Sequence, residues 1–122
     1  MGGDFAPTEM IKGAILATKK HDDIEITLVG PEGIVASEMA KYNGHNPRLH
    51  RIGADGVIRE GESESAAMAV QSRPDASVAV ATKALKSGEA DALISAGHTA
   101  AVVGSAVRYL GMMDGIERPV TE

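Results

Sequence analysis

Apolar residues change their spacing several times along this chain, and each change marks an element. Ile11, Ala14, Ile15 and Thr18 recur at helical spacing, so a helix is expected from Pro7, with Lys19, Lys20 and His21 closing its last turn favourably for the dipole. Pro7 suits a first helical position, where its missing N–H is no loss. Ile24 to Val29 is rich in β-branched residues and stops at Gly30-Pro31, which predicts a strand. Ile34 to Tyr42 predicts a short amphipathic helix that ends at Asn43-Gly44. Leu49 to Ile52 predicts a second strand, and the glycines of Gly53 to Gly61 a loop. Ser63 is placed to cap a short helix through Gln71, which Pro74 ends. Ala76 to Lys86 carries apolar faces at Val78, Ala81 and Leu85 and at Val80 and Ala84, with Gly88 as its stop.

The last unit, Asp91 to Gly111, organises the rest. Ala92-Leu93-Ile94 predicts a strand, buried on both faces like the strand at 24–29. Ser95, Ala96 and Gly97 form a turn, and Val102, Val103, Ala106, Val107 and Leu110 give a helical stripe. Gly97 suits a sharp bend or a close approach to a ligand. Thr99 is the expected cap of the helix. Such a helix start offers free N–H donors and the positive end of a dipole to a phosphate or carboxylate. Many strand–turn–helix units carry a small residue there and bind nothing, and on spacing alone that bland account is preferred. Gly111 to Glu122 is expected to be loop, with Pro119-Val120-Thr121 opening like a strand. The alternation argues an α/β fold with a doubly wound, mostly parallel sheet and helices on both faces.

Composition narrows the function. The chain has 122 residues, which suits one small domain. Aromatics make up 2%, so the core must be built from Ala, Val, Ile, Leu and Met. Net charge is −5 with the signs mixed, which argues against nucleic acid as a partner. Without cysteine there is no thiolate nucleophile, disulfide framework or Cys-based metal site. No metal site and no cofactor are expected. No stretch approaches the ~18 apolar residues of a membrane span. Met1 to Pro7 shows neither the basic nor the apolar region of a signal peptide. Together these fit a cytoplasmic location.

Four stretches combine into a more specific pattern. MGGDFAP at 1–7, TLVG at 27–30 and ADALISAGHTAAVV at 90–103, followed by LGMMDGIERP at 110–119, resemble the bacterial phosphate acyltransferase (PlsX) family in order and spacing. The resemblance implies an isocitrate/isopropylmalate dehydrogenase-like fold. It implies transfer of a fatty acyl group from acyl carrier protein to inorganic phosphate, giving acyl phosphate for phospholipid synthesis. Residues 1–122 would then be the N-terminal part of a single α/β domain. The family's opening strand, which ends in VDA, and everything after Val120 would be missing. For the full-length protein the resemblance implies a homodimer and peripheral membrane association through the missing part. Alone, the chain is expected to be marginally stable or to associate, because apolar helix faces and sheet edges are left uncovered.

The sequence departs from the family inside its motifs as well. His98 stands where the family usually has Asn, and Ala100 where it has Gly. Around Arg73 a single basic residue remains of a richer stretch.

Acyl transfer to phosphate needs the anion held in line with the thioester carbonyl and donors aimed at the developing oxyanion. Under the resemblance, Asp4, His98 and Thr99 are the candidate catalytic residues, and Gly2, Gly3, Ser95, Gly97 and Arg118 the candidate phosphate-binding ones. Asp4 orients a donor, acts as a base or caps the Pro7 helix, with capping preferred. His98 donates to an oxyanion or takes a proton; the usual Asn favours a neutral donor. Arg118 either grips phosphate or pairs with Glu117 or Glu122. Arg73, Lys83 and Lys86 either attract the acidic carrier protein or are scattered surface charge, the preferred account. Two other functions stay open: another acyl-phosphate enzyme, phosphotransacetylase-like or an acetyl-transferring reductase subunit, and an inactive fragment. The MGGD turn and the 95–99 loop are expected on one rim of the sheet, sharing one anion.

Overall fold

A computed structural model describes residues 4–42, 45–56, 58 and 66–119. Its elements run α1 (Thr8–Lys20), β1 (Ile26–Gly30), α2 (Glu32–Tyr42), β2 (Leu49–Gly53), α3 (Ala66–Ser72), α4 (Ser77–Ser87) and α5 (Thr99–Tyr109).

The fold begins with β1–α2–β2. The two strands are parallel and in register, from Ile26 opposite Leu49 to Gly30 opposite Gly53. A parallel pair requires a crossover, and α2 is that crossover. Ala54 N–H continues the ladder by donating to Gly30 O at 2.8 Å. The helical face foreseen for α1 is the one buried: Ile11, Ala14, Ile15 and Thr18 all point inward. They meet Leu28 of β1, Val35 of α2 and Leu49 of β2 in a first core. Burying side chains of this kind contributes roughly 1.5–3 kcal/mol each. Thr18 is polar and fully buried, and it is satisfied twice. Its hydroxyl donates to Ile15 O and accepts from Asn46 Nδ2, both at 3.0 Å. The second bond fastens the end of α1 to the turn that leads into β2.

A second core joins Ile58, Val70 of α3, Ala76 and Ala79 of α4, and Ala101 of α5. The N-terminus of α4 is held by backbone rather than by a capping side chain. Gly56 bridges Ala76, and Ser77 N–H donates to Gly56 O at 2.8 Å. The approach is close: a Cβ on Gly56 would lie 3.0 Å from Ala76 Cα. At the other end Gly88 takes φ +82° as the predicted left-handed stop. α4 also packs against β1, which connects the two cores.

Five expectations are corrected. Residues 91–95 form no strand. They lie outside any sheet pairing, and Ile94 is 87% exposed. Backbone needs a neighbouring strand to form a ladder, and the only sheet among the described residues is β1–β2. In β1 itself Leu28 and Gly30 are buried but Thr27 is exposed, so that strand is not covered on both faces. α5 packs through its small residues, Ala101 and Ser105, with Tyr109 following on the same face, while Val107 and Leu110 stay exposed. Asp4 does not cap α1. Pro7 occupies the N-cap position, one residue before the helix rather than its first, and no side-chain capping bond is made there. Asn43-Gly44 and Ser63 lie outside the described residues.

Candidate functional site: the loop before α5

Ser95, Gly97, His98 and Thr99 are brought together in one short loop that runs into α5. Gly97 N–H donates to Ser95 Oγ at 3.2 Å, which folds the loop back on itself. The cap of α5 is His98, not Thr99. Its Nδ1 accepts from Ala100 N–H at 3.2 Å, while Thr99 is already the first helical residue. Short side chains are the usual caps, and an imidazole Nδ1 reaches the same donor because it stands at a similar distance from Cα as an Asn Oδ1.

This geometry sets the chemistry of the loop. Because Nδ1 accepts, the neutral ring carries its proton on Nε2, which is left as a donor. The N–H groups of Ala101 and Val102 both donate to His98 O, and Ala100 and Gly97 are engaged as above. The donors at the helix start outside these bonds are the N–H groups of His98 and Thr99. Gly97, His98 and Thr99 are half-buried or exposed, so an anion has access to them.

The other candidates do not join this loop. Gly2 and Gly3 lie outside the described residues, so the shared rim with the MGGD turn lies outside them too. Asp4 and Arg118 are both exposed, and among the described residues no hydrogen bond or ion pair links either to residues 95–99. Arg118 makes no ion pair with Glu117.

One cluster went unseen in the sequence. Lys83 Nζ lies 5.1 Å and Arg108 Cζ 5.7 Å from the centre of the Tyr109 ring. Twenty-six residues separate Lys83 from Tyr109, so only the packing of α4 on α5 reveals it.

A parallel β–α–β unit, with an accessible loop leading into α5 later in the chain, defines an α/β protein. The profile of the family described as "Fatty acid synthesis protein" matches residues 1–121, and the chain belongs to that family. Its relatives are named phosphate acyltransferase. The one from Syntrophomonas wolfei subsp. wolfei is 40% identical over 98% of this chain and 37% of its own length. That from Synechococcus elongatus is 43% identical over 98% of this chain and 33% of its own. That from Clostridium novyi is 35% identical over 98% and 35%. The chain thus spans about a third of the length of the curated relatives it matches. No helix among the described residues is long and apolar enough to cross a membrane.

Proposed function

We propose that this chain is the N-terminal part of an α/β enzyme that transfers a fatty acyl group from acyl carrier protein to inorganic phosphate. The observation that carries the reading is the family match across residues 1–121, together with relatives named phosphate acyltransferase. In the whole protein the β1–α2–β2 unit belongs to a doubly wound sheet, a reading supported by its parallel register. Homodimerisation, peripheral membrane association and a cytoplasmic location belong to the same proposal.

The reaction forms an O–C bond and breaks a C–S bond. A phosphate oxygen attacks the thioester carbonyl, the carbonyl oxygen becomes an oxyanion, and the carrier's thiolate leaves. The protein's task is to position phosphate and stabilise charge. The loop supplies groups for that task. His98 and Thr99 N–H face an anion at the positive end of α5. The Nε2–H of His98 serves as the neutral donor that Asn provides in the usual family motif. Ser95 holds Gly97 in the bend. Gly2, Gly3 and Arg118 are assigned to the same anion in the full-length protein, and Asp4 to orienting a donor or acting as a base there.

The test is a phosphate titration with acyl-transfer rates in a full-length protein carrying Gly97→Val, His98→Asn or Thr99→Ala. Gly97→Val is expected to raise the KM for phosphate most, because a branched side chain blocks approach to the loop. His98→Asn is expected to be tolerated. Unchanged phosphate affinity in Gly97→Val removes the loop from the site.

A further inference from the structure

Five basic side chains are paired, while Lys19 and Lys20 at the end of α1 are exposed and make no ion pair among the described residues. Lys12, Lys41, Arg48, His50 and Arg51 each pair with a carboxylate, and all lie on α1, α2 or the β1–β2 region. What sets α4 and α5 apart is convergence on one ring, not the lack of ion pairs alone. Lys83, Lys86 and Arg108 have no carboxylate within ion-pair distance among the described residues. All three are exposed. Lys86 follows Lys83 by three residues, which puts both on one side of α4. Lys83 and Arg108 converge on the Tyr109 ring from different helices. The Lys83 ammonium is also held by Pro74 O at 2.9 Å. Asp75, the adjacent acid, directs its carboxylate towards Gly56 instead. Helix dipoles account for Lys86 and Arg108, which stand in last turns. They do not account for Lys83 in mid-helix, nor for two like charges sharing one ring in a chain whose net charge is −5.

We propose that the α4–α5 face around Tyr109 docks an acidic protein surface, whose carboxylates pair with Lys83, Lys86 and Arg108. Charge complementarity selects the partner. A lipid surface is recognised by clusters of about 4–8 flexible cations. Here the cations number three, and one is fixed by a carbonyl and a ring, which suits carboxylates at set positions. Under the acyl-transfer reading, on which this assignment of the partner rests, the acidic partner is the acyl carrier protein.

The experiment measures binding of fluorescently labelled acyl carrier protein to this chain at low salt by anisotropy. One variant carries Lys83→Glu and Arg108→Glu. A control carries Lys19→Glu and Lys20→Glu at the far end of α1, with the same change in net charge. The α4–α5 reversal is expected to weaken binding by about tenfold or more, and the α1 reversal by no more than about twofold. Should the first variant melt early, Lys83→Gln with Arg108→Gln replaces it, with an expected loss of about threefold. Equal effects of both reversals, or no binding of the carrier protein, overturn the proposal. So does binding only to vesicles of equal parts phosphatidylglycerol and phosphatidylcholine. Acyl transfer by a full-length relative is assayed separately. Transfer that survives the reversal with unchanged KM for the acyl carrier substrate removes this surface and leaves the acyl-transfer reading standing. Absence of transfer in the unaltered relative removes that reading itself.

Discussion

His98 Nδ1 accepts the backbone N–H of Ala100 at 3.2 Å, so one imidazole both caps α5 and turns its other nitrogen outward. Removing the ring should therefore cost stability before any chemistry is considered. His98→Ala is expected to destabilise the chain by about 1 kcal/mol, the usual cost of a lost cap. His98→Asn should keep the cap and stay near the parent. Thr99→Ala should change little, within about 0.5 kcal/mol, because Thr99 is exposed and is not the cap. Urea denaturation of the three variants checks the order; a larger loss in Thr99→Ala than in His98→Ala would restore threonine as the cap.

Burial separates two isoleucines that look alike in sequence. Ile11 is fully buried in the first core, and Ile94 is 87% exposed. Ile11→Ala is expected to cost about 2–5 kcal/mol through lost contacts and a cavity. Ile94→Ala should cost less than about 0.5 kcal/mol in this chain. Thermal melts of both variants decide the matter, and a large loss at Ile94 would mean that residues 91–95 are covered after all.

The contrast shows what the chain's pattern could and could not reveal. Ile11, Ala14, Ile15 and Thr18 were legible because α1 has one apolar face and its partners, β1 and α2, follow closely in the chain. Strand 26–30 was legible from a β-branched run ended by glycine, and 49–53, where Ile52 is the one β-branched residue, from the glycine-rich stretch that closes it. Ala92-Leu93-Ile94 has the same apolar character, but a strand exists only where another strand pairs with it, and no residue of the run records that. In α5 the valine stripe was the stronger signal, yet Ala101 and Ser105 pack because small side chains let α3 and α4 come close. The 95–99 loop was found by its small residues and its change of period. The choice between His98 and Thr99 as cap depends on side-chain geometry, which spacing does not encode.

The stop of α4 tests backbone rather than packing. Gly88 has φ +82°, and a Cβ placed there would meet nothing within 4 Å. Gly88→Ala is therefore free of clashes and strained only by its left-handed backbone, at a cost of about 1–2 kcal/mol. Gly33 sits within α2 with the same open surroundings but without that backbone demand, so Gly33→Ala should stabilise by a few tenths up to about 1 kcal/mol. Denaturation curves for the pair should move in opposite directions; movement in the same direction would contradict the φ assigned to Gly88.

Acid should loosen α1 from α2. The Glu38 carboxylate receives a hydrogen bond from Lys41, its strongest influence, and another from Thr8 Oγ1 of α1 at 3.1 Å. Partial burial opposes them, but the net effect holds the Glu38 carboxyl below the ordinary carboxylate range. A group whose folded value is depressed binds its proton more readily when unfolded. Its stabilisation is therefore complete above the ordinary glutamate range and disappears as pH falls through the lower folded value. Melting temperature should drop across that acidic window. Glu38→Gln should lower stability at neutral pH and flatten this part of the pH profile, since Gln keeps the shape and loses the titration. A Glu38→Gln profile parallel to the parent's throughout the window would assign the acid sensitivity to other carboxylates and leave Thr8–Glu38 without a measurable role in joining the two helices.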